Sequence, residues 1–249
     1  PIEEGRYRLF WSPLCPYAHR AVIAREILGL DDAISLGTLD YRRGEEGWQF
    51  SLDKDGIDPV LKQSKIKDVY LNSDSDYEGP YSVPVLVDVT TGKVVRKESA
   101  ELLHEFATVF SKLHKKDGID LYPEHLAGQI DEWNEKLAVA INDGVYGMRF
   151  AENQEKYDEA FDRFFDMMDV VEDRLSKQRY FHGNTITDTD IRFYTTMIRF
   201  DVVYYGLYSA NKKRIEEYPN IFNYLKDLYQ TPGFGSTTDF EAIKVGYYV

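Results

Sequence analysis

Residues 7–22 read YRLFWSPLCPYAHRAV, and they contain the signals that decide the fold of the first part of the chain. The segment YRLFW at 7–11 is apolar and aromatic apart from one arginine, which is typical of a short buried strand. A proline-bounded loop follows it. The apolar spacing of AHRAVIAREIL at 18–28 then predicts a helix, and Gly29 is placed to end it.

The segments after this first strand and helix predict a domain that contains both strands and helices. A second strand is predicted at 34–39 (ISLGTL), which completes a β-α-β unit and favours a parallel strand pair. Residues 40–82 show little periodicity, and we predict a long and mostly irregular insertion there. The sequence VPVLVDVTTGKVVRK at 83–97 alternates around a Thr-Gly turn, which predicts a hairpin. Ser99 is expected to be the N-cap of the next helix.

The second half of the chain is predicted to be helical throughout. Apolar residues recur at helical spacing in three long segments, which are residues 124–142, 154–177 and 211–230. Thr187 and Asp190, three positions apart, form a variant capping signal before the apolar run IRFYTTMI. The chain therefore reads as a βαβ-plus-ββα domain followed by an all-helical domain.

Composition limits the classes of function. The chain has 249 residues, a formal net charge of −13 and 43% hydrophobic residues, so it can bury a substantial core. Nucleic-acid binding depends on clustered Lys and Arg, and the sequence has no basic run. No apolar stretch approaches the roughly 18 residues of a membrane helix. We expect a soluble, cytoplasmic protein with neither a nucleic-acid nor a membrane partner.

Cys15 is the only cysteine of the chain, and it lies at the predicted start of a helix. Free N–H groups and a partial positive charge stabilise a thiolate there, and thiol pKa values in such positions fall from about 8.5 to roughly 3.5–7.5. Arg20 is close in sequence and could add positive charge. Since no second cysteine exists, an external thiol must resolve any disulfide that Cys15 forms. A packed structural cysteine is the alternative.

Two further features favour a reactive Cys15. A proline at the first residue of a strand is a candidate for a cis peptide bond, so the Val83–Pro84 bond is predicted to be cis. This kink would present the backbone of Val83 to an extended peptide. Glu98 and Ser99 begin a helix whose N–H groups can bind a carboxylate. Together they suggest a pocket for a small acidic thiol peptide, although each feature alone is ordinary turn and cap chemistry.

These motifs resemble the glutathione transferases, and more narrowly their Xi class, the glutathionyl-hydroquinone reductases. Motifs similar to those of that class occur in the same order along nearly the whole chain. They are CPYAHR (15–20), GWQF (47–50), SVPVLVD (82–88), KES (97–99), GVYGMRFA (144–151), TDTDIR (187–192), RFDVVY (199–204) and IKVGYY (243–248).

The resemblance implies an α+β two-domain glutathione transferase fold. A thioredoxin-like domain at 1–112 would bind glutathione, with the long insertion at 40–82. A linker at 113–123 would lead to an all-helical domain at 124–249 that carries the aromatic substrate site. The resemblance also implies a homodimer.

The resemblance further implies a role for each of eight residues. Cys15 would be the catalytic cysteine. The glutathione-contacting residues would be Trp48, Val83, Glu98 and Ser99, and the tyrosines of the quinone site would be Tyr146, Tyr204 and Tyr247. The implied activity is reduction of a glutathionyl-hydroquinone thioether, with glutathione as co-substrate and a Cys15–glutathione mixed disulfide as intermediate.

Alternatives remain at this point. Pro80 stands about where the class has a glutathione-binding arginine, so a related low-molecular-weight thiol could replace glutathione. An Omega-like thiol transferase or dehydroascorbate reductase would use the same cysteine, and a non-catalytic binding protein could share the scaffold. No metal site is expected, because the histidines show no ligand spacing.

Overall fold

The computed structural model describes residues 2–115 and 119–249, and the described chain forms two compact units. The first unit contains the residues before 116 together with residues 237–249, and the second contains residues 119–236. Our predicted boundary placed 237–249 in the helical domain, whereas the structure packs this segment with the first unit. No described helix has the length and apolar character needed to span a bilayer.

The first unit is built on a mixed β-sheet. Its described strands are β1 (Tyr7–Trp11), β2 (Ile34–Thr38), β3 (Val85–Asp88) and β4 (Lys93–Arg96). The strand order among the described residues is β2-β1-β3-β4. β1 is parallel to β2 and antiparallel to β3, and β3 and β4 form a hairpin. All residues of β1 are buried. The predicted parallel pair and hairpin are confirmed.

The first helix lies where the sequence predicts it. The helices of this part of the chain are α1 (Pro16–Ile27), α2 (Ile66–Ser73) and α3 (Ser99–Ala107). Pro16 is suited to the first position of α1, where its missing N–H has no partner to lose. Gly29 follows the end of α1 with φ of 65°, a conformation that glycine adopts without strain.

Residues 40–82 are more ordered than predicted. The expectation of a mostly irregular segment missed α2, whose apolar positions Ile66, Val69 and Tyr70 are buried. The segment is also tied to the sheet, because Arg8 of β1 donates from Nη2 to the Oδ1 atom of Asp58 at 2.6 Å. Both side chains are buried. Removing one partner of such a pair costs about 3–5 kcal/mol, so the segment is a fixed part of the unit.

The predicted cap of α3 was wrong. Glu98, with extended backbone angles, is the N-cap, and Ser99 is the first helical residue. The Ser99 hydroxyl instead accepts a hydrogen bond from Arg20 of α1 at 3.4 Å. A long-range contact has therefore replaced the local cap that the sequence suggested.

The second unit is helical. Its helices are α4 (Ala127–Leu137), α5 (Gly144–Arg149), α6 (Gln154–Leu175), α7 (Asp188–Met197), α8 (Tyr205–Leu207) and α9 (Pro219–Gln230), with π-helices at Ala138–Asn142 and Phe200–Tyr204. The predicted helix at 211–230 begins only at Pro219, because proline fits a first turn but not a helix interior. Residues 116–118 of the predicted linker lie outside the described residues.

The last helix, α10 (Phe240–Tyr248), belongs to the first unit. Asp239 caps it, because its carboxylate accepts the N–H of Ala242 at 2.9 Å. Ala242 and Ile243 are fully buried. An apolar face thus attaches the end of the chain to the unit that contains Cys15.

The predicted capping box at Thr187 is confirmed, and Asp190 does more than complete it. The Asp190 carboxylate accepts the N–H of Thr187 at 2.8 Å, the N–H of Phe181 at 3.1 Å and the hydroxyl of Tyr224 at 2.8 Å. Burial outweighs these bonds and raises the pKa of the Asp190 carboxyl to about 6. One buried side chain therefore joins α7, α9 and the loop before α7.

We predict that Asp190→Ala lowers the free energy of unfolding by about 3 kcal/mol, because buried donors lose their acceptor. Asp173→Ala is the control, since Asp173 is 67% exposed in its ion pair with Lys177, and should cost less than about 1 kcal/mol. Urea unfolding measures both. Equal costs would contradict the role given to Asp190.

A second prediction concerns pH. The pKa of Asp190 is higher in the folded state, about 6, than its ordinary value of 3.8, so the folded state binds more protons between about pH 4 and pH 6. This group's contribution to stability therefore falls as the pH rises through that window, by roughly 1–3 kcal/mol. In Asp190→Asn, the slope of unfolding free energy against pH should be more positive than in wild type. Identical slopes in wild type and Asp190→Asn would contradict a raised pKa for Asp190 in the folded state.

Candidate active site

Cys15 is the N-cap of α1, at the end of the loop that leaves β1. Its Sγ atom accepts the N–H of Ala18 at 3.4 Å and lies 3.7 Å from the carbonyl oxygen of Val83. The residue is half-buried. A thiolate here gains from a direct N–H donor and from the positive end of the helix. The predicted placement of the thiol is confirmed.

The peptide backbone beside the thiol has the predicted form. The Val83–Pro84 bond is cis. Val83 is 7% exposed, and its carbonyl is the group that faces the Cys15 sulfur. Two of the predicted site residues are thus in contact, although they are far apart in sequence.

Arg20 directs its charge to the start of α3. Its guanidinium is buried, lies 4.8 Å from the ring centroid of Tyr17 and donates to the Ser99 hydroxyl. Glu98 is exposed and Ser99 half-buried at the first turn of α3. This turn therefore combines N–H groups, a hydroxyl and a nearby cation, the chemistry that binds a carboxylate.

Trp48 is also a member of the first unit. The side chain is 7% exposed, and the guanidinium of Arg43 lies 5.6 Å from its ring centroid. Gly47 precedes it with φ of 86°, which permits the turn that leads into it. The carbonyl of Trp48 accepts the N–H of Ile66, so the start of α2 fixes its backbone.

Sequence reasoning missed Lys97. Its Nζ atom donates to the Tyr77 hydroxyl at 3.0 Å, and that hydroxyl donates to the carbonyl of Pro80 at 3.0 Å. The hydrogen bond to Tyr77 raises the pKa of Lys97. Lys97 and Glu98 line a cavity of about 340 Å³ whose lining does not include Cys15, Val83 or Ser99. A cation is therefore present beside the loop in which Pro80 replaces the expected arginine. The sequence signal that could have pointed to Lys97 is its position directly before Glu98.

Two of the three predicted tyrosines meet in the second unit. The rings of Tyr146 and Tyr204 are 6.1 Å apart with an edge-to-face geometry. Tyr204 is fully buried, whereas Tyr146 is half-buried. Tyr204 lies in the π-helix Phe200–Tyr204, and such irregular turns are frequent at functional sites.

Tyr208 is a third member of this cluster that the sequence did not single out. Its ring lies 5.7 Å from Tyr146 and 5.1 Å from Tyr204. Burial raises the pKa of Tyr208 from its ordinary value of 10 to about 12. Its spacing of four residues from Tyr204 was the available signal. Tyr247, the last predicted tyrosine, is half-buried on α10 in the first unit.

Comparisons with known proteins give the family. Residues 14–109 match the profile described as "Glutathione S-transferase, N-terminal domain", and residues 154–227 match "Glutathione S-transferase, C-terminal domain". A structure described as "Xi Class GST from Natrialba magadii" superposes with a TM-score of 0.95 at 38% identity, over 99% of this chain and 76% of that one. The chain belongs to the Xi class of glutathione transferases. The predicted family and fold are confirmed.

Other proteins similar to this Xi-class chain support the same family assignment. The sequence is 39% identical to the glutathionyl-hydroquinone reductase YqjG of Escherichia coli, over 99% of this chain and 75% of the relative. The glutathione-bound structure of YqjG superposes with a TM-score of 0.94, over 99% of this chain and 80% of that one. The chain is also 36% identical to "Glutathione S-transferase omega-like 2" of Schizosaccharomyces pombe, over 98% of this chain and 81% of the relative.

We predict that Cys15 reacts with iodoacetamide in the folded protein, because the residue is only half-buried and its sulfur accepts an N–H bond. Intact-mass spectrometry gives a clean readout, since Cys15 is the only cysteine. The rate at pH 7 should exceed that of the same protein unfolded in urea. Modification only after unfolding would contradict an accessible, activated thiol.

Proposed function

We propose that this Xi-class chain is a glutathione-dependent reductase that cleaves glutathionyl-hydroquinones. The observation that carries the proposal is the placement of Cys15, whose Sγ atom accepts an N–H bond at the start of α1 and lies against the Val83 carbonyl. The name of the relative YqjG supports the same substrate class.

In the first step the Cys15 thiolate attacks the sulfur of the thioether. The carbon–sulfur bond breaks, its electron pair stays with the ring carbon, and that carbon takes a proton to give the hydroquinone. Cys15 and glutathione are left as a mixed disulfide. The two sulfur atoms are oxidised by one electron each, and the ring carbon is reduced by two.

A second glutathione completes the cycle. Its thiolate attacks the mixed disulfide, releases oxidised glutathione and restores the Cys15 thiolate. The proton lost by this glutathione balances the proton gained by the ring. An external thiol is required because the chain has no second cysteine.

We propose that the first unit binds glutathione through the four residues that the family resemblance implies. The Val83 backbone is suited to pair with the peptide, and the first turn of α3, with Glu98 and Ser99, is suited to its charged glutamyl end. Trp48 provides an apolar surface. Lys97 supports an acidic thiol as co-substrate even though Pro80 stands in the loop beside it.

We propose that Tyr146, Tyr204 and Tyr247 bind the quinol ring. Phenol side chains offer flat apolar faces, and their hydroxyls can hydrogen-bond to the quinol oxygens. The same hydroxyls can assist proton transfer to the ring carbon through those oxygens. The contact between Tyr146 and Tyr204 supports a shared aromatic site.

We predict that Cys15→Ser reduces glutathionyl-hydroquinone cleavage by at least about a hundredfold, because a hydroxyl cannot form the mixed disulfide. Ser176→Ala, an exposed hydroxyl in the second unit, is the control and should retain full activity. Product formation is followed by chromatography. Calorimetry should show that Cys15→Ser still binds glutathione, and full cleavage activity in this variant would end the proposal.

The second candidate is an Omega-like thiol transferase, which the Schizosaccharomyces pombe relative favours. It would use Cys15 on glutathionylated disulfides or on dehydroascorbate. Turnover of wild-type protein on a glutathionyl-hydroquinone, a mixed disulfide and dehydroascorbate separates the two. Cleavage of disulfides without cleavage of thioethers would favour the second candidate.

A further inference from the structure

A hydrogen bond connects the C-terminal segment to the helix that holds Cys15. Oγ1 of Thr237 lies 2.8 Å from Nε2 of His19. His19 is fully buried, and its N–H donates to the Cys15 carbonyl at 3.0 Å, so it stands one helical turn after the thiol. The centroids of the Trp11 and His19 rings are 5.9 Å apart. The imidazole is thus packed against β1 while it holds the segment that leads into α10.

A second contact lies near the other end of α10. A Cβ atom on Gly246 would be 2.7 Å from the carbonyl oxygen of Tyr41 and 3.0 Å from a methyl carbon of Leu14. Such a distance to a backbone oxygen is below ordinary van der Waals contact, so only glycine permits this approach. Leu14 directly precedes Cys15. Tyr247 directly follows Gly246.

Two further features stabilise α10 between these contacts. Asp239 caps its start, and Ala242 and Ile243 bury its inner face. Gly246 continues the same face, being three and four residues further on. The contacts of Thr237 with His19 and of Gly246 with Tyr41 and Leu14 therefore connect this segment to the unit that contains the thiol.

We propose that His19, Thr237 and Gly246 are positioning residues that fix Tyr247 relative to Cys15. The inference rests on the proposed function, in which Tyr247 binds the quinol ring while Cys15 attacks the adjoining sulfur. A thiolate needs the thioether sulfur at a defined angle and distance, and a misplacement of about 1 Å can cost a hundredfold in rate. Reaction of Cys15 with a small disulfide has no ring to orient, so it does not need this helix.

Three variants test whether these residues position Tyr247. Thr237→Val removes the hydroxyl bonded to His19, Thr237→Ser keeps it, and Gly246→Ala adds the obstructing Cβ. The matched controls are Thr108→Val, which removes a hydroxyl bond to the His104 carbonyl, and Gly128→Ala on α4, where no heavy atom lies within 4 Å of the added carbon.

Each variant is measured in three ways. The first is kcat/KM for glutathionyl-hydroquinone cleavage. The second is the rate at which oxidised glutathione adds one glutathionyl group to Cys15, read by intact mass. The third is hydrogen–deuterium exchange of the amides of residues 240–248.

We expect Thr237→Val and Gly246→Ala to lower kcat/KM for the thioether by at least about tenfold, with faster exchange in α10. Formation of the mixed disulfide should stay within about twofold of wild type, because Cys15, the Ala18 N–H group and Val83 are not substituted and this reaction has no ring to orient. Thr237→Ser and both controls should behave as wild type in all three measurements.

Two results would overturn the positioning role. In one, the thioether and disulfide reactions fall together, which indicates general disruption. In the other, wild type cleaves the thioether and both variants match it. A wild-type protein that forms the mixed disulfide but cleaves no thioether would overturn the proposed function itself, and this inference with it.

Discussion

The rest of the site depends on one short-range interaction, the N–H of Ala18 directed at the Cys15 sulfur. It exists because β1 is buried on both sides and its exit loop must turn directly into α1. Pro16 assists that turn, since its fixed φ suits a first helical position. The first N–H groups of a helix have no intrahelical acceptor. A thiolate can accept a hydrogen bond from them and remain nucleophilic.

The surroundings of Cys15 come from distant parts of the chain. Val83 approaches the sulfur through a cis peptide bond before β3, and Ser99 is linked to α1 by Arg20. The long segment after β2 is held by the buried Arg8–Asp58 pair. This segment carries Trp48. The first unit thus brings Val83 and, through Arg20, the first turn of α3 to the helix that begins after Cys15.

A lone cysteine also defines the type of chemistry. With no second cysteine in the sequence, Cys15 has no internal disulfide partner, so in the proposed cycle an external thiol resolves the mixed disulfide. The Xi-class family places that requirement beside a glutathione transferase scaffold. The cluster of Tyr146, Tyr204 and Tyr208 in the second unit is aromatic and mostly buried, and its proposed role is to bind a ring rather than a peptide.

Sequence alone determined the β-α-β start, the hairpin, the capped helix at Thr187 and the position of Cys15. These depend on local periodicity and on prolines, which act within a few residues. The start of α3 at Ser99, the role of Lys97 and the packing of α10 with the first unit were decided only in three dimensions. Each of them depends on a contact between residues far apart in the chain: Arg20 with Ser99, Lys97 with Tyr77, and Gly246 with Tyr41. Local propensity carries no information about such pairs, because their energy appears only once the chain has folded.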